Sequence, residues 1–522
     1  MNERRLLQHS RRLLILTLLA SVAVVATACG ATTTKSPATA SRASTSTLVV
    51  AETTAPSTLD PQGSGLLADR YTWALAYQCL MTTSPSGAIE PQLATSYTVS
   101  TNGLVYTFHL RHNVYFQNGQ LLTSADVAYT FQRLFSTGSP SLREVFPTYQ
   151  SVRAIDSYTV DFTLSSAAAG FALAMASPID FGCAIINKQA AEAGGLAAKI
   201  VATGPWTQVS YEPNVQIILT RNTHYWGTET KAARLDVQWV PEGTTQVTDL
   251  EAGRVDLISP SKSGADSLAG AADITVKAIS SDTTIFLMLN ANAAPFNNLD
   301  VRRAVALALD RSALAKIAYA GGAVPSGYVP PSYAWGTPIS TLPYSQYNPT
   351  EAKQLLSEAG YPNGLTTTIK YIDNYEPGTN ALLAQMQSEL AAVGISAQLV
   401  PLQAAAWIAG TNTNADFGLS WNEQGYYADP YLYVAVSSYR IGPGKGEVPA
   451  ALQALITKAL DAQTIQSYEQ GLNAVGSYEA SQVYPQITLL AKKAYVAYRT
   501  DLSGVSVAAS GSLTFLANVS KS

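Results

Sequence analysis

Apolar residues recur at every second position in two early stretches of the chain. One is Tyr106-Thr107-Phe108-His109-Leu110-Arg111; the other runs over 159–164 through Val160, Phe162 and Leu164. A period of two marks strands with one buried face. Residues 48–51 form a third strand-like run, and Leu59-Asp60-Pro61 reads as a turn. Between the alternating stretches, Asn118-Gly119 predicts a hairpin turn. Thr123 or Ser124 then caps a helix with Val127, Phe131 and Leu134 on one face. Helical spacing of Trp73, Ala76, Tyr77 and Leu80 predicts a helix over 69–80, and Val301, Val305 and Leu309 predict a single helix over 298–320. Asn348-Pro349, with Glu351 three residues after the Asn, opens another helix that Gly360 closes. Strands over 366–371 and 396–400 flank a helix carrying Leu382, Leu383, Met386, Leu390 and Val393. Strand, helix, strand in succession indicates α/β layers.

The N-terminus changes the picture. Arg4, Arg5, Arg11 and Arg12 precede an apolar stretch from Leu13 to Val25, and the small residues Ala26-Thr27-Ala28 precede Cys29. This order looks like a bacterial lipoprotein signal, in which Cys29 is acylated and becomes the new N-terminus. Residues 1–28 are therefore expected to be the signal peptide. The Ala-, Ser- and Thr-rich stretch that follows, 29–47, is expected to be a flexible tether, because it buries too little apolar surface to order itself. No later segment is long and apolar enough to span a bilayer.

At 522 residues the chain exceeds one hydrophobic core, so two or three domains are expected. Charged residues are only 13% and the net charge is −4, which does not suit nucleic acid. The two cysteines left after Cys29, Cys79 and Cys183, either pair outside the cytoplasm or stand as two separate buried thiols. His109, His112 and His224 lack the helical spacing of a metal pair. There is no nucleophile elbow, no zinc-protease motif and no Walker loop. No enzyme, metal or cofactor chemistry is expected.

An ordered series of motifs then carries a resemblance. It runs Pro91-Gln92-Leu93-Ala94-Thr95-Ser96-Tyr97, Gly103, Tyr106 to Arg111, Phe116-Gln117-Asn118-Gly119 and Ala125-Asp126-Val127. Thr203-Gly204-Pro205-Trp206, Arg221-Asn222 with Tyr225-Trp226, and Gly253 with Asp256 follow. Asn290, Pro295-Phe296, Asp300-Val301-Arg302-Arg303-Ala304 and Leu309-Asp310-Arg311 complete it. From about Leu48 to the end, the chain resembles the extracytoplasmic solute-binding proteins of peptide, oligopeptide and nickel ABC importers, family 5. The resemblance implies an α/β, two-lobed fold like the type II periplasmic binding proteins, with a small α+β domain inserted near the start of the first lobe. Mapped onto this chain, the first lobe comprises 48–80, 177–282 and a C-terminal return over 493–522. The inserted domain is 81–176 and the second lobe 283–492.

The resemblance further implies a monomer outside the cell, held to the bacterial membrane through lipid on Cys29. It would capture a peptide-like or other small solute between the lobes and pass it to the permease subunits of an ABC transporter. Uptake or sensing of an oligosaccharide or metal chelate is the alternative, with a surface hydrolase behind it. In peptide-binding relatives an acid three positions after a cleft Trp receives the peptide's amino group. Here Trp421 is followed at that place by Gln424, with Glu423 beside it and Asp429 further on. The expected ligand-contacting set is Trp421, Asn422, Glu423, Tyr426, Tyr427 and Asp429 from the second lobe, with Gly65, Leu67, Phe286 and Met288. Tyr71, Trp73 and Trp407 are further aromatic candidates, although the last two also fit helix cores. If neither acid faces the cleft, free peptide amines are poor ligands, because a buried unpaired ammonium is costly.

Overall fold

The computed structural model describes residues 46–522 apart from 65, 85–87, 144, 177–182, 374, 376–377, 414–415, 425–447 and 510. Cys29, Gly65, Tyr426, Tyr427 and Asp429 lie outside the described residues.

The chain opens with strand β1 (Thr47–Glu52), whose Leu48 and Val50 are fully buried, and helix α1 (Leu67–Ala74). The helix expected over 69–80 stops at Ala74. Trp73, Ala76, Tyr77 and Leu80 are nonetheless buried, so the apolar spacing reflects core contacts of a coil as well as of a helix. Strands β2 (Met81–Thr83) and β3 (Ile89–Pro91) form a small hairpin. A separate four-stranded antiparallel sheet follows, made of β4 (Ala94–Val99), β5 (Val105–Leu110), β6 (Tyr149–Asp156) and β7 (Thr159–Leu164). Both alternating stretches thus form neighbouring strands, β5 and β7, with Tyr106, Phe108, Leu110, Val160, Phe162 and Leu164 turned inward. Helix α2 (Ser124–Thr137) covers this sheet with Val127, Phe131 and Leu134 at 0% exposure. Its start is tied by the Asp126 carboxylate, which accepts the Thr123 N–H at 3.1 Å.

One large sheet organises the rest. Its first wing contains β1, β8 (Trp206–Glu212), β9 (Gln216–Arg221), β10 (Arg234–Trp239) and β11 (Leu257–Ile258). Two long strands, β12 (Ile274–Leu289) and β17 (Gln486–Arg499), run antiparallel through the middle. The second wing contains β14 (Leu365–Ile372), β15 (Ile395–Leu402) and β16 (Leu419–Gln424), with β13 (Ala323–Pro325) added to β17. β1 runs parallel to β10 and β11, and β14 runs parallel to β15 and β16. The pairing of β12 with β17 shifts register in mid-course: Ser280 faces Lys493, but the next pair is Thr284 with Ala491, and a second, smaller shift follows between Ile285 and Phe286.

The helix expected over 298–320 is interrupted. It forms as α3 (Leu299–Ala308) and α4 (Arg311–Ile317), because Asp310 caps a new start by accepting the Ser312 and Ala313 N–H groups. Helix α5 (Pro349–Glu358) is capped by Asn348, which accepts the Glu351 N–H at 3.1 Å, and it ends before Gly360 at φ +93°. Helix α6 (Thr379–Ala392) links β14 to β15. Helices α7 (Ala450–Leu460) and α8 (Ile465–Gln482) pack in the same apolar cluster as the four-stranded sheet. Cys79 and Cys183 form a disulfide. Among the described residues no helix is long and apolar enough to cross a membrane.

Most of the motifs that carry the resemblance hold this framework together. Gly204 passes so close to Ala76 that an added Cβ would lie 2.2 Å from the Ala76 carbonyl oxygen. The Asn222 amide donates to the Gly204 carbonyl at 2.8 Å, and Thr203, Tyr225 and Trp226 all hydrogen-bond the side chain of Gln78. Buried Asp256 accepts the Val49 N–H and the Lys521 ammonium, tying β1 to the C-terminus. Arg302 donates to the carbonyls of Phe296, Gln482 and Val483, and Arg311 to those of Ser345 and Thr488. Burial lowers the pKa of Arg311 to about 10, still far above neutrality, so the guanidinium stays charged.

Candidate functional site

Both sets of parallel strands point toward the break between β12 and β17. In the first wing, β11 is antiparallel to β17 with Ile258 opposite Ala497, so its C-terminal end points toward Lys492. β1, parallel to β11, ends beside it at Glu52. In the second wing, β16 is antiparallel to β12 with Gln424 opposite Thr284, so its end points at the same break. In open α/β sheets the crevice outside the carboxyl ends of strands is where ligands bind.

The second wing brings Glu423 there. Its side chain is 8% exposed, with Lys492 Nζ at 2.9 Å from Oε1. The Tyr319 hydroxyl donates to Oε2 at 2.8 Å. Lys492 Nζ also lies 4.5 Å from the centre of the Tyr319 ring. Tyr319 and Ala320 both occupy the left-handed region, at φ 51° and 57°. That conformation costs non-glycine residues roughly 1–3 kcal/mol each and persists where surroundings over-determine it. Gly378, at φ +96°, sits against Tyr319; a Cβ there would stand 3.1 Å from the Tyr319 backbone nitrogen.

Trp421 shares the Glu423 face of β16 but is only 1% exposed and belongs to the apolar core with Ile285 and Leu287. The ring of Tyr375, 42% exposed, meets it edge-on at 5.3 Å. Asn422 is half-buried on the opposite face. Phe286 and Met288 correct the expectation made of them. Both are fully buried, packed with Trp407 and Phe417 in a small apolar cluster. A central strand is covered on both faces, which puts these two side chains in the core. Trp73 and Trp407 are core residues whose ring N–H groups donate to the Thr58 carbonyl and the Ser420 hydroxyl. Leu67 opens α1.

The first wing contributes Glu52, half-buried at the end of β1. Its Oε1 is buried without a hydrogen-bond partner. Burial pushes its pKa up to about 7, against the opposing pull of a hydrogen bond from Ser259. Tyr71 stands nearby, and burial, with Asp282 and Glu52 beside it, raises its phenol pKa above the ordinary value. His109, His112 and His224 are exposed, and no cluster of three or more His, Cys, Asp or Glu placed to hold a metal occurs among the described residues.

The sequence reading named neither Lys492, Tyr319 nor Glu52. For Lys492 and Glu52 a signal was available: two lysines interrupt the apolar run Ile487 to Val496, and Glu52 ends the run Leu48 to Ala51. Charges placed in or at the end of buried strands mark a polar junction.

Comparison with known proteins extends this picture. Residues 88–442 match the model of bacterial extracellular solute-binding proteins, family 5 (middle region). The chain is 31% identical over 355 residues to the glutathione-binding protein GsiB of Escherichia coli (strain K12), covering 66% of this chain and 68% of the relative. The structure of HbpA2 from Haemophilus parasuis superposes with a TM-score of 0.79 at 25% identity, covering 91% of this chain and all of that one at 100%. The periplasmic binding protein DppA from Helicobacter pylori, solved with the peptide STSA, gives a TM-score of 0.75 at 24% identity, covering 91% and 98%.

Proposed function

The chain belongs to the bacterial extracellular solute-binding proteins of family 5, and from that premise we propose that it captures a peptide-like solute where its two wings meet and delivers it to an ABC permease. The observation that carries the reading is the convergence of both parallel strand sets on the β12–β17 break, with Glu52 on one side and Glu423 on the other. A similar protein is named for glutathione, a tripeptide, and a fold neighbour holds a peptide, which supports this solute class. The two wings act as lobes joined by the paired middle strands, and solute binding closes them about that junction. The boundaries expected from the sequence assign 48–80, 177–282 and 493–522 to the first lobe, 81–176 to an inserted domain and 283–492 to the second lobe. Lipid on Cys29 tethers the mature protein, as a monomer, to the outer face of the cell membrane through residues 29–47. The solute is bound and released unchanged.

A thermal melt with a panel of tri- to pentapeptides, free and N-acetylated, and glutathione tests the reading. Solute at one hundred times Kd stabilises the folded state by about 2.7 kcal/mol, so a bound peptide raises Tm by several degrees. Oligosaccharides or metal chelates raising Tm while every peptide leaves it unmoved would contradict it.

A further inference from the structure

We infer that Lys492 is a specificity-determining residue: its ammonium fills the cation place beside Glu423, so the site takes peptides that are uncharged at the amino end lying there. This rests on the peptide-binding reading above and narrows it. A carboxylate that is 8% exposed, at the end of a strand pointing into the solute crevice, is a ready receiver for a solute ammonium. Both its oxygens already hold donors, Lys492 Nζ at 2.9 Å and the Tyr319 hydroxyl at 2.8 Å. A solute ammonium would have to displace one of them. Lys492 has little room to withdraw. Its backbone lies in β17, a central strand paired there with Ala323, and its side chain is 18% exposed and held over the Tyr319 ring. Two ammonium groups would then face one largely desolvated carboxylate, and like charges in such a place repel strongly. An N-acylated or otherwise neutral end leaves the Glu423–Lys492 pair intact and adds hydrogen-bonding groups in place of charge.

The test is titration calorimetry of trialanine and N-acetyl-trialanine with the wild-type protein, Lys492→Met and Lys492→Arg. The wild type and Lys492→Arg bind the acetylated peptide at least as tightly as the free one. In Lys492→Met, where the carboxylate lacks its cation, the ratio of affinities moves at least about tenfold toward free trialanine, a change of about 1.4 kcal/mol. A wild type that favours free trialanine by tenfold or more, or an unchanged ratio in Lys492→Met, overturns the inference and leaves the peptide reading standing. The wild-type comparison needs no variant, so misfolding of Lys492→Met does not shield the inference. Binding of neither peptide by the wild type or Lys492→Arg overturns the inference together with the reading it rests on.

Discussion

Glu52 couples stability to pH in a definite direction. Its folded-state pKa lies near 7, above the ordinary 4.5. The unfolded chain therefore releases this proton first as pH rises. The neutral carboxyl favours the folded state fully below about pH 4.5, and that contribution is lost as pH rises through about 7. Tm of the solute-free protein should fall between about pH 5 and pH 8, and Glu52→Gln should flatten the fall. An equally steep fall in the variant would assign it to other groups. Trp421 makes a different prediction. The sequence resemblance places it in the ligand-contacting set. Buried at 1% exposure in the second-wing core, it is a packing residue. Trp421→Ala should destabilise the fold by about 3–5 kcal/mol, read by denaturant unfolding. A change below about 1 kcal/mol would return it to the surface role.

Elements were legible where a periodic pattern met a chemical stop signal. β5, β7, α2, α5 and α6 lie where alternation, a cap or a closing glycine placed them, because local sequence decides those features. The misreadings share a cause. The apolar spacing over 73–80 continues past the end of α1, and the spacing over 301–309 runs to Leu309, one residue past the end of α3 and just before the cap at Asp310. Burial maintains such spacing even where the backbone changes course. The motifs carrying the family resemblance turned out to bind backbone carbonyls and strand ends, as Arg302, Arg311, Asp256 and Asn222 do. They specify a scaffold, which is why the fold could be read while the solute contacts could not. Lys492 and Tyr319 are 69 and 104 residues in sequence from the Glu423 carboxylate they share, and only tertiary structure brings the three together. The disulfide joins positions 104 residues apart. By loop-closure entropy a cross-link of that span stabilises by up to about 4.7 kcal/mol. Reduction with dithiothreitol should lower Tm markedly, and a Cys79→Ala/Cys183→Ala variant should melt as low without reductant. Equal Tm before and after reduction would show that the unfolded state is not constrained there.

At the scale of the molecule, the large sheet is continuous yet built from two wings whose parallel strands converge on one break. Two paired strands with a mid-course irregularity can bend where ladder bonds are missing, while each wing keeps its own core, around Leu48 and Val50 on one side and Val305 and Met386 on the other. Capture by closure about that break is the central claim. Small-angle X-ray scattering, with and without the peptide that raises Tm most, tests it most directly. The account predicts a smaller radius of gyration at saturating peptide, with the peptide recovered intact by mass spectrometry. A radius unchanged at saturation, or a peptide recovered in fragments, would contradict it.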